Sequence, residues 1–201
     1  FCGCEKLASI ELPEGLKEVG SLAFSQCISL LTVELPDTVT NLCESVFEQC
    51  KNLRSVHLPL KLSDLKASLF KGCTKLSSFN IPPRIQTIGM EFFSGCNNLE
   101  RIDVSPENTS LILDKGALFT NDMELLLVPP ALIINGEYSI TSGTRSIGKH
   151  AFYGYDTLVS IEIPESVESI GNGAFENCKN LVSITTTKSV KSFGENVFTG
   201  Y

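Results

Sequence analysis

Apolar and polar positions along this chain recur with a period of 23 residues. Leucine returns at Leu7, Leu30, Leu53, Leu76, Leu99, Leu158 and Leu181; an apolar residue follows three positions later, a second two positions after that, and often then proline. In one such unit Val33 and Leu35 alternate with Thr32 and Glu34, the period-two signature of a strand buried on one face. Pro36 has no N–H to give to a ladder and ends that strand. Val39 and Leu42 come next at spacing three, compatible with either a second brief strand or an open turn. The unit closes on a small or branched residue before phenylalanine, as in Gly173-Ala174-Phe175, where a single helical turn is expected, its ring filling the gap between coils.

Those phenylalanines stand at Phe1, Phe24, Phe47, Phe70, Phe93, Phe152, Phe175 and Phe198, and three residues after them come Cys4, Cys27, Cys50, Cys73, Cys96, Tyr155, Cys178 and Tyr201. A supersecondary unit repeated at this period cannot bury its apolar face alone, so the chain is read as one solenoid domain over residues 1–201. The expected fold is an α/β solenoid, mostly β: a right-handed curved stack with parallel strands on its concave face and short helical turns. Ile10, Val33, Val56, Phe79, Ile102, Ile161 and Ile184 are expected to point into a common core. Phe93 and Phe152 are 59 residues apart, more than two periods, and the region of about 103–147 reads as an enlarged unit. There Leu111 to Thr120 and Met123 to Pro130, separated by Asn121-Asp122, read as strands joined by a hairpin. The chain starts and stops on repeat landmarks, so it reads as a segment of something longer.

Composition narrows the function. A formal net charge of −7 argues against nucleic acid and anionic membrane surfaces as partners and favours basic or neutral ones. The longest apolar run is interrupted by Pro129 and Pro130 and falls short of a membrane span. Eight cysteines would ordinarily raise disulfides, but six share one column that also accepts Tyr155 and Tyr201, which cannot bridge. Stacked, buried and reduced thiols are expected. Cys2-Gly3-Cys4 lacks companions at zinc spacing, since His57 and His150 are the two histidines of the chain, and no cofactor is expected. Two scattered histidines make no catalytic triad. Asn108-Thr109-Ser110 is an N-glycosylation sequon.

Leu158-Val-Ser-Ile-Glu-Ile-Pro-Glu-Ser-Val-Glu-Ser-Ile-Gly-Asn-Gly-Ala-Phe-Glu-Asn-Cys178 carries the whole unit, and through it the chain resembles the BspA-like, Treponema-type, leucine-rich repeats along essentially its full length. The match departs at Cys43 and Ala67, where the pattern has glycine, and at Thr186, where it has proline. The resemblance implies a non-enzymatic surface or secreted module of a host-associated microbe, adhesin-like, whose ligand is a protein or glycan and could be a host matrix protein. It supplies no catalytic residues. A structural spacer within a larger surface protein is the alternative.

Any binding site must then lie on exposed positions. The outward residues of the strands form two columns, the first being Ser9, Thr32, Ser55, Ser78, Arg101, Ser160 and Ser183. The second, Glu11, Glu34, His57, Asn80, Asp103, Glu162 and Thr185, leans acidic and is the expected binding surface. A ladder spaces equivalent residues by about 4.8 Å, too far for the converging oxygens of a calcium cage.

Overall fold

The computed structural model describes residues 1–200. By contact the chain divides into two units, Phe1–Ser110 and Leu111–Tyr201. Each is a mostly-β stack of leucine-rich coils with parallel strands and almost no helix.

In the first unit a short and a long strand alternate: β1 (Glu18–Val19), β2 (Thr32–Glu34), β3 (Asn41–Leu42), β4 (Ser55–His57), β5 (Asp64–Leu65), β6 (Ser78–Ile81), β7 (Thr87–Ile88) and β8 (Arg101–Val104). The long strands pair in parallel, β2 with β4 and β6 with β8, and so do the short ones, β1 with β3 and β5 with β7. The segment left open in the sequence is therefore a second brief strand. Every register equals the sequence period, Val33 facing Val56 and Phe79 facing Ile102. Between the two strands of a coil the proline carbonyl accepts the turn hydrogen bond, as from Val39 N to Pro36 O at 2.9 Å.

The second unit opens with an antiparallel meander, β9 (Leu111–Asp114), β10 (Ala117–Thr120) and β11 (Glu124–Leu127); the hairpin expected at Asn121-Asp122 joins β10 to β11, while the stretch Leu111 to Thr120 is itself folded into a second hairpin. Lys115 and Gly116, at φ 49° and 86°, make the meander's first two-residue turn in the left-handed conformation that a tight hairpin requires. A 3₁₀ turn at Pro130–Leu132 leads into β12 (Glu137–Ser139), after which β13 (Ser146–Ile147), β14 (Ser160–Glu162), β15 (Ser169–Ile170), β16 (Ser183–Thr185) and β17 (Ser192–Phe193) resume the alternation. β12, β14 and β16 form one parallel ladder, while β11, β13, β15 and β17 form another.

Of the expected inward residues, Val33, Phe79, Ile102 and Ile161 are buried, and Ile10, Val56 and Ile184 partly so. The phenylalanines stack ring on ring: Phe24 to Phe47 at 5.7 Å, Phe47 to Phe70 at 5.5 Å, Phe152 to Phe175 at 5.1 Å. Phe79 and Phe92 meet Phe70 and Phe93 edge-on, giving the first unit a four-ring cluster.

The expected helical turns are absent. The stretches before and after each phenylalanine are hydrogen-bonded turns with two left-handed residues per coil, for example Leu22 at φ 61° and Gln26 at 60°. A left-handed non-glycine residue costs roughly 1–2 kcal/mol, so something must offset it. The offset is a third ladder: Leu22, Phe24 and Gln26 donate their N–H groups to the carbonyls of Glu44, Val46 and Glu48 on the next coil, at 3.2, 3.0 and 2.8 Å. A helical turn would direct those groups along its own axis instead.

The cysteine column gains a reason from this geometry. Cys50, Cys73, Cys96 and Cys178 are fully buried, and each thiol donates to the carbonyl of the phenylalanine one coil back, at 2.9–3.1 Å. Tyr155 does the same with its phenol, reaching Val128 O, where the shorter coil before it has no phenylalanine. All eight cysteines are free thiols. Cys4, expected to be buried, is exposed on the outermost coil; Tyr201 lies outside the described residues. Burial pushes the Cys50 and Cys96 thiols up to about 12 and Cys178 to about 11, so they stay protonated donors at neutral pH.

Two slots shift by one residue from the sequence reading. Leu65 faces Ile88, which puts Lys66, not Ala67, in the glycine slot of Gly89. A Cβ on Gly89 would lie 2.5 Å from the Lys66 carbonyl carbon, so the slot is a close backbone approach. Glu162 faces Thr185, which puts Thr187, not Thr186, opposite Pro164. Asn108 of the sequon spends its side chain on the fold: its amide donates to Pro82 O at 3.0 Å and Ile85 O at 2.9 Å, and its oxygen accepts from Ser110 N at 2.9 Å.

Candidate functional site

Long strands with one buried face must turn every second side chain outward, and the structure places both sequence columns there except in the first coil, where Ser9 and Glu11 are exposed but lie on no strand. In the first unit Glu34 stands opposite His57, and Asn80 opposite Asp103. In the second, Glu162 stands opposite Thr185. Glu11, Glu34, His57, Asn80, Glu162 and Thr185 are exposed, and Asp103 is half-buried.

Glu11, Glu34 and His57 share an open depression of about 580 Å³, to which Glu14 and Asp37 add two further carboxylates. Its wall holds four acidic side chains and no lysine or arginine. Glu14 and Asp37 were not read as site residues; each follows its coil's proline, and carrying the period one step past the strand would have found them. Asp103 differs from the rest of its column, because Arg101 Nε lies 2.8 Å from its carboxylate on the same strand. That ion pair removes most of the net charge the column would show there.

The columns also continue where the sequence reading stopped. Glu137 and Ser139 of β12 face Ser160 and Glu162, and Ser139 Oγ donates to the Glu162 carboxylate at 2.9 Å. The signal was present: subtracting one period from Ser160 and Glu162 gives these two residues. Phe119 is fully buried in the core of the enlarged unit, because β10 is the middle strand of the meander. Asn121 and Asp122 at the hairpin tip are exposed.

One perturbed titratable group occurs in the enlarged unit: burial first, and then Asp114, pushes the Tyr138 phenol up to about 12. The shift leaves the phenol protonated at neutral pH. Among the described residues no three His, Cys, Asp or Glu side chains gather as a metal site, and no helix is long and apolar enough to cross a membrane.

Comparison with known proteins agrees with this architecture. A leucine-rich cell-surface protein from Faecalibacterium prausnitzii is 28% identical over 91% of this chain and 54% of its own, with a TM-score of 0.73. The pneumococcal vaccine antigen PcpA is 22% identical over 89% of this chain and 50% of its own, with a TM-score of 0.71, and a leucine-rich repeat protein from Eubacterium ventriosum is 20% identical over 90% and 59%, at 0.65; these two share the fold. The chain spans about half the length of the first two structures. No curated protein matches it. Six copies of the model for the BspA type leucine rich repeat region match residues 1–122 and 136–201, so the chain belongs to that family of typically non-catalytic repeats.

Proposed function

We propose that this chain is the interaction module of a cell-surface protein, adhesin-like and non-enzymatic, which binds a protein or glycan ligand through the outward face of its long strands. The binding residues are Glu11, Glu34, His57, Asn80, Asp103, Glu162 and Thr185. The observation that carries this reading is the carboxylate-lined depression at Glu11, Glu34 and Asp37, which has no cation in its wall. Exposed carboxylates contribute little to folding, and a cluster of them attracts basic partners at long range. A basic host matrix protein is the partner class this surface fits, and the cell-surface location of the Faecalibacterium prausnitzii relative supports an extracellular setting.

The test is binding of the isolated module to immobilised basic matrix proteins, with Glu11→Gln, Glu34→Gln, Asp103→Asn and Glu162→Gln introduced together. Affinity should fall with the thermal midpoint nearly unchanged, and wild-type binding should weaken as salt shortens the Debye length from about 8 Å. Because Arg101 already pairs with Asp103, Asp103→Asn alone should contribute least. Binding that ignores both the variant and salt refutes the reading. The spacer alternative is favoured by the chain's being about half of the structures it matches, and saturable binding of the isolated module would exclude it.

A further inference from the structure

The coil that carries β12 follows the period in its strand but not in its core. Tyr138 faces Ile161 and so occupies the inward slot held elsewhere by Val33, Phe79 and Ile102. One period before Leu158, where Leu30, Leu53, Leu76 and Leu99 are all 0% exposed, stands Asn135. Asn135 is exposed and left-handed at φ 52°, and Gly136 follows at 83°. Gly136 cannot be replaced freely, since a Cβ there would lie 2.7 Å from Val159 Cγ2. The column leucine is thus missing from this coil, and a hollow of about 430 Å³ opens at Tyr138, within the range of about 300–1,000 Å³ typical of small-molecule sites.

The lining has two characters. Leu132 and Ile134 supply an apolar wall, and Ile134 keeps 63% of its surface exposed although it is branched and aliphatic. Asn135, Tyr138 and Thr141 supply an amide, a phenol and a hydroxyl, and no hydrogen bond joins the Tyr138 hydroxyl to another described residue. Ser139 donates to Glu162 and keeps a free acceptor lone pair. Lys115 and Glu137 contribute one charge of each sign, so the hollow is formally neutral, unlike the acidic depression of the first unit.

This combination selects a ligand class. An ionic ligand finds no net countercharge. A purely apolar one would cover the phenol and the amide without replacing their hydrogen bonds to water, which costs about 1–3 kcal/mol per group. A sugar ring has both an apolar C–H face and a rim of hydroxyls that donate and accept. We infer that this hollow of the enlarged unit binds one or two rings of a neutral glycan, the C–H face on Leu132 and Ile134 and the hydroxyl rim on Tyr138, Asn135 and Thr141. The site is separate from the strand-face depression and does not depend on it.

The chain has four tyrosines, and among the described ones Tyr138 lines this hollow, so ring-labelled tyrosine gives a resolved NMR probe of occupancy. The ligands to titrate are lactose, maltose and N,N′-diacetylchitobiose, with sialyllactose as an anionic comparison. At least one neutral disaccharide should shift the Tyr138 ring signal saturably at millimolar concentration. Tyr138→Phe, whose ring the same slot accepts as Phe79 in β6, should weaken that binding about tenfold, the equivalent of one hydrogen bond. Ile134→Asp alters an exposed side chain and should abolish binding with the unfolding midpoint unchanged, which keeps the test independent of how Tyr138→Phe folds. No saturable shift from any neutral disaccharide, a shift from sialyllactose alone, or equal affinity in both variants overturns the assignment. A variant with only Glu11, Glu34 and Asp103 neutralised, none of which lines the hollow, should bind sugar like the wild type, so failure of one site is told apart from failure of the other.

Discussion

Phe70 offers the sharpest test of the ring column. It is 0% exposed, stacks on Phe47 at 5.5 Å and Phe93 at 5.9 Å, and meets Phe79 and Phe92 edge-on at 5.1 and 5.4 Å. Truncation to alanine removes a fully buried ring from a core that other coils hold in place, a change that costs about 3–5 kcal/mol in close-packed interiors. The four ring pairs lost with it are each worth about 0.5–1.5 kcal/mol beyond burial, which puts Phe70→Ala at the upper end of that range. Phe70→Leu keeps most of the volume and should cost about half as much. Val182→Ala, at a side chain 82% exposed, should lie within about 0.5 kcal/mol of wild type. Urea unfolding followed by far-ultraviolet circular dichroism measures all three. A midpoint for Phe70→Ala as close to wild type as that of Val182→Ala would show that the ring column does not hold the coils together.

Leu53→Ala, at a column leucine with no exposed surface, should cost about 2–5 kcal/mol in the same assay, and a neutral midpoint would place it outside the core. The raised thiols predict alkaline sensitivity: an unfolded cysteine ionises near 9 whereas Cys50 and Cys96 hold their protons to about 12, so stability is full below pH 9 and is lost as pH climbs from 9 to 12. A flat profile across that window, measured by urea midpoints, would contradict thiol burial. Asn108→Ala should destabilise by about 1–3 kcal/mol because it strips partners from Pro82 O, Ile85 O and Ser110 N, and a neutral midpoint would refute that anchoring role. If residues 1–201 are one cooperative domain, calorimetry should show a single transition, and two resolved transitions would make the two units separate domains.

The strands were legible because their signal is residue type: Val33 and Leu35 alternate with Thr32 and Glu34, and the period repeats them in every coil. The turns were not, because left-handed φ at Leu22, Ser45 and Gln26 is imposed by hydrogen bonds to the next coil and is favoured by none of those side chains. Tyr138 and its neighbours were passed over since Pro129, Leu132 and Asn135 replace the phenylalanine, cysteine and leucine landmarks of that coil. The acidic column was readable as a list of residues, but its electrostatics were not. Whether Arg101 neutralises Asp103 depends on side-chain direction along β8, which the alternation of the strand leaves undetermined.

The ladder of turn N–H groups has a bearing on how such chains change length. Every donor on one coil, from Leu22 and Phe24 to Gln26, meets an acceptor 22 residues further on, and the thiol column looks back 26 residues in each coil. Excising one whole period from within the first unit therefore returns each group to a partner of the same kind, whereas removing a number that is not a multiple of the period leaves several backbone groups unmatched. A gene of this form can lose or duplicate a coil by slippage without passing through an unfoldable product. The same slippage shortens or lengthens the outward columns by one rung, so reach and outward strand surface are inherited together.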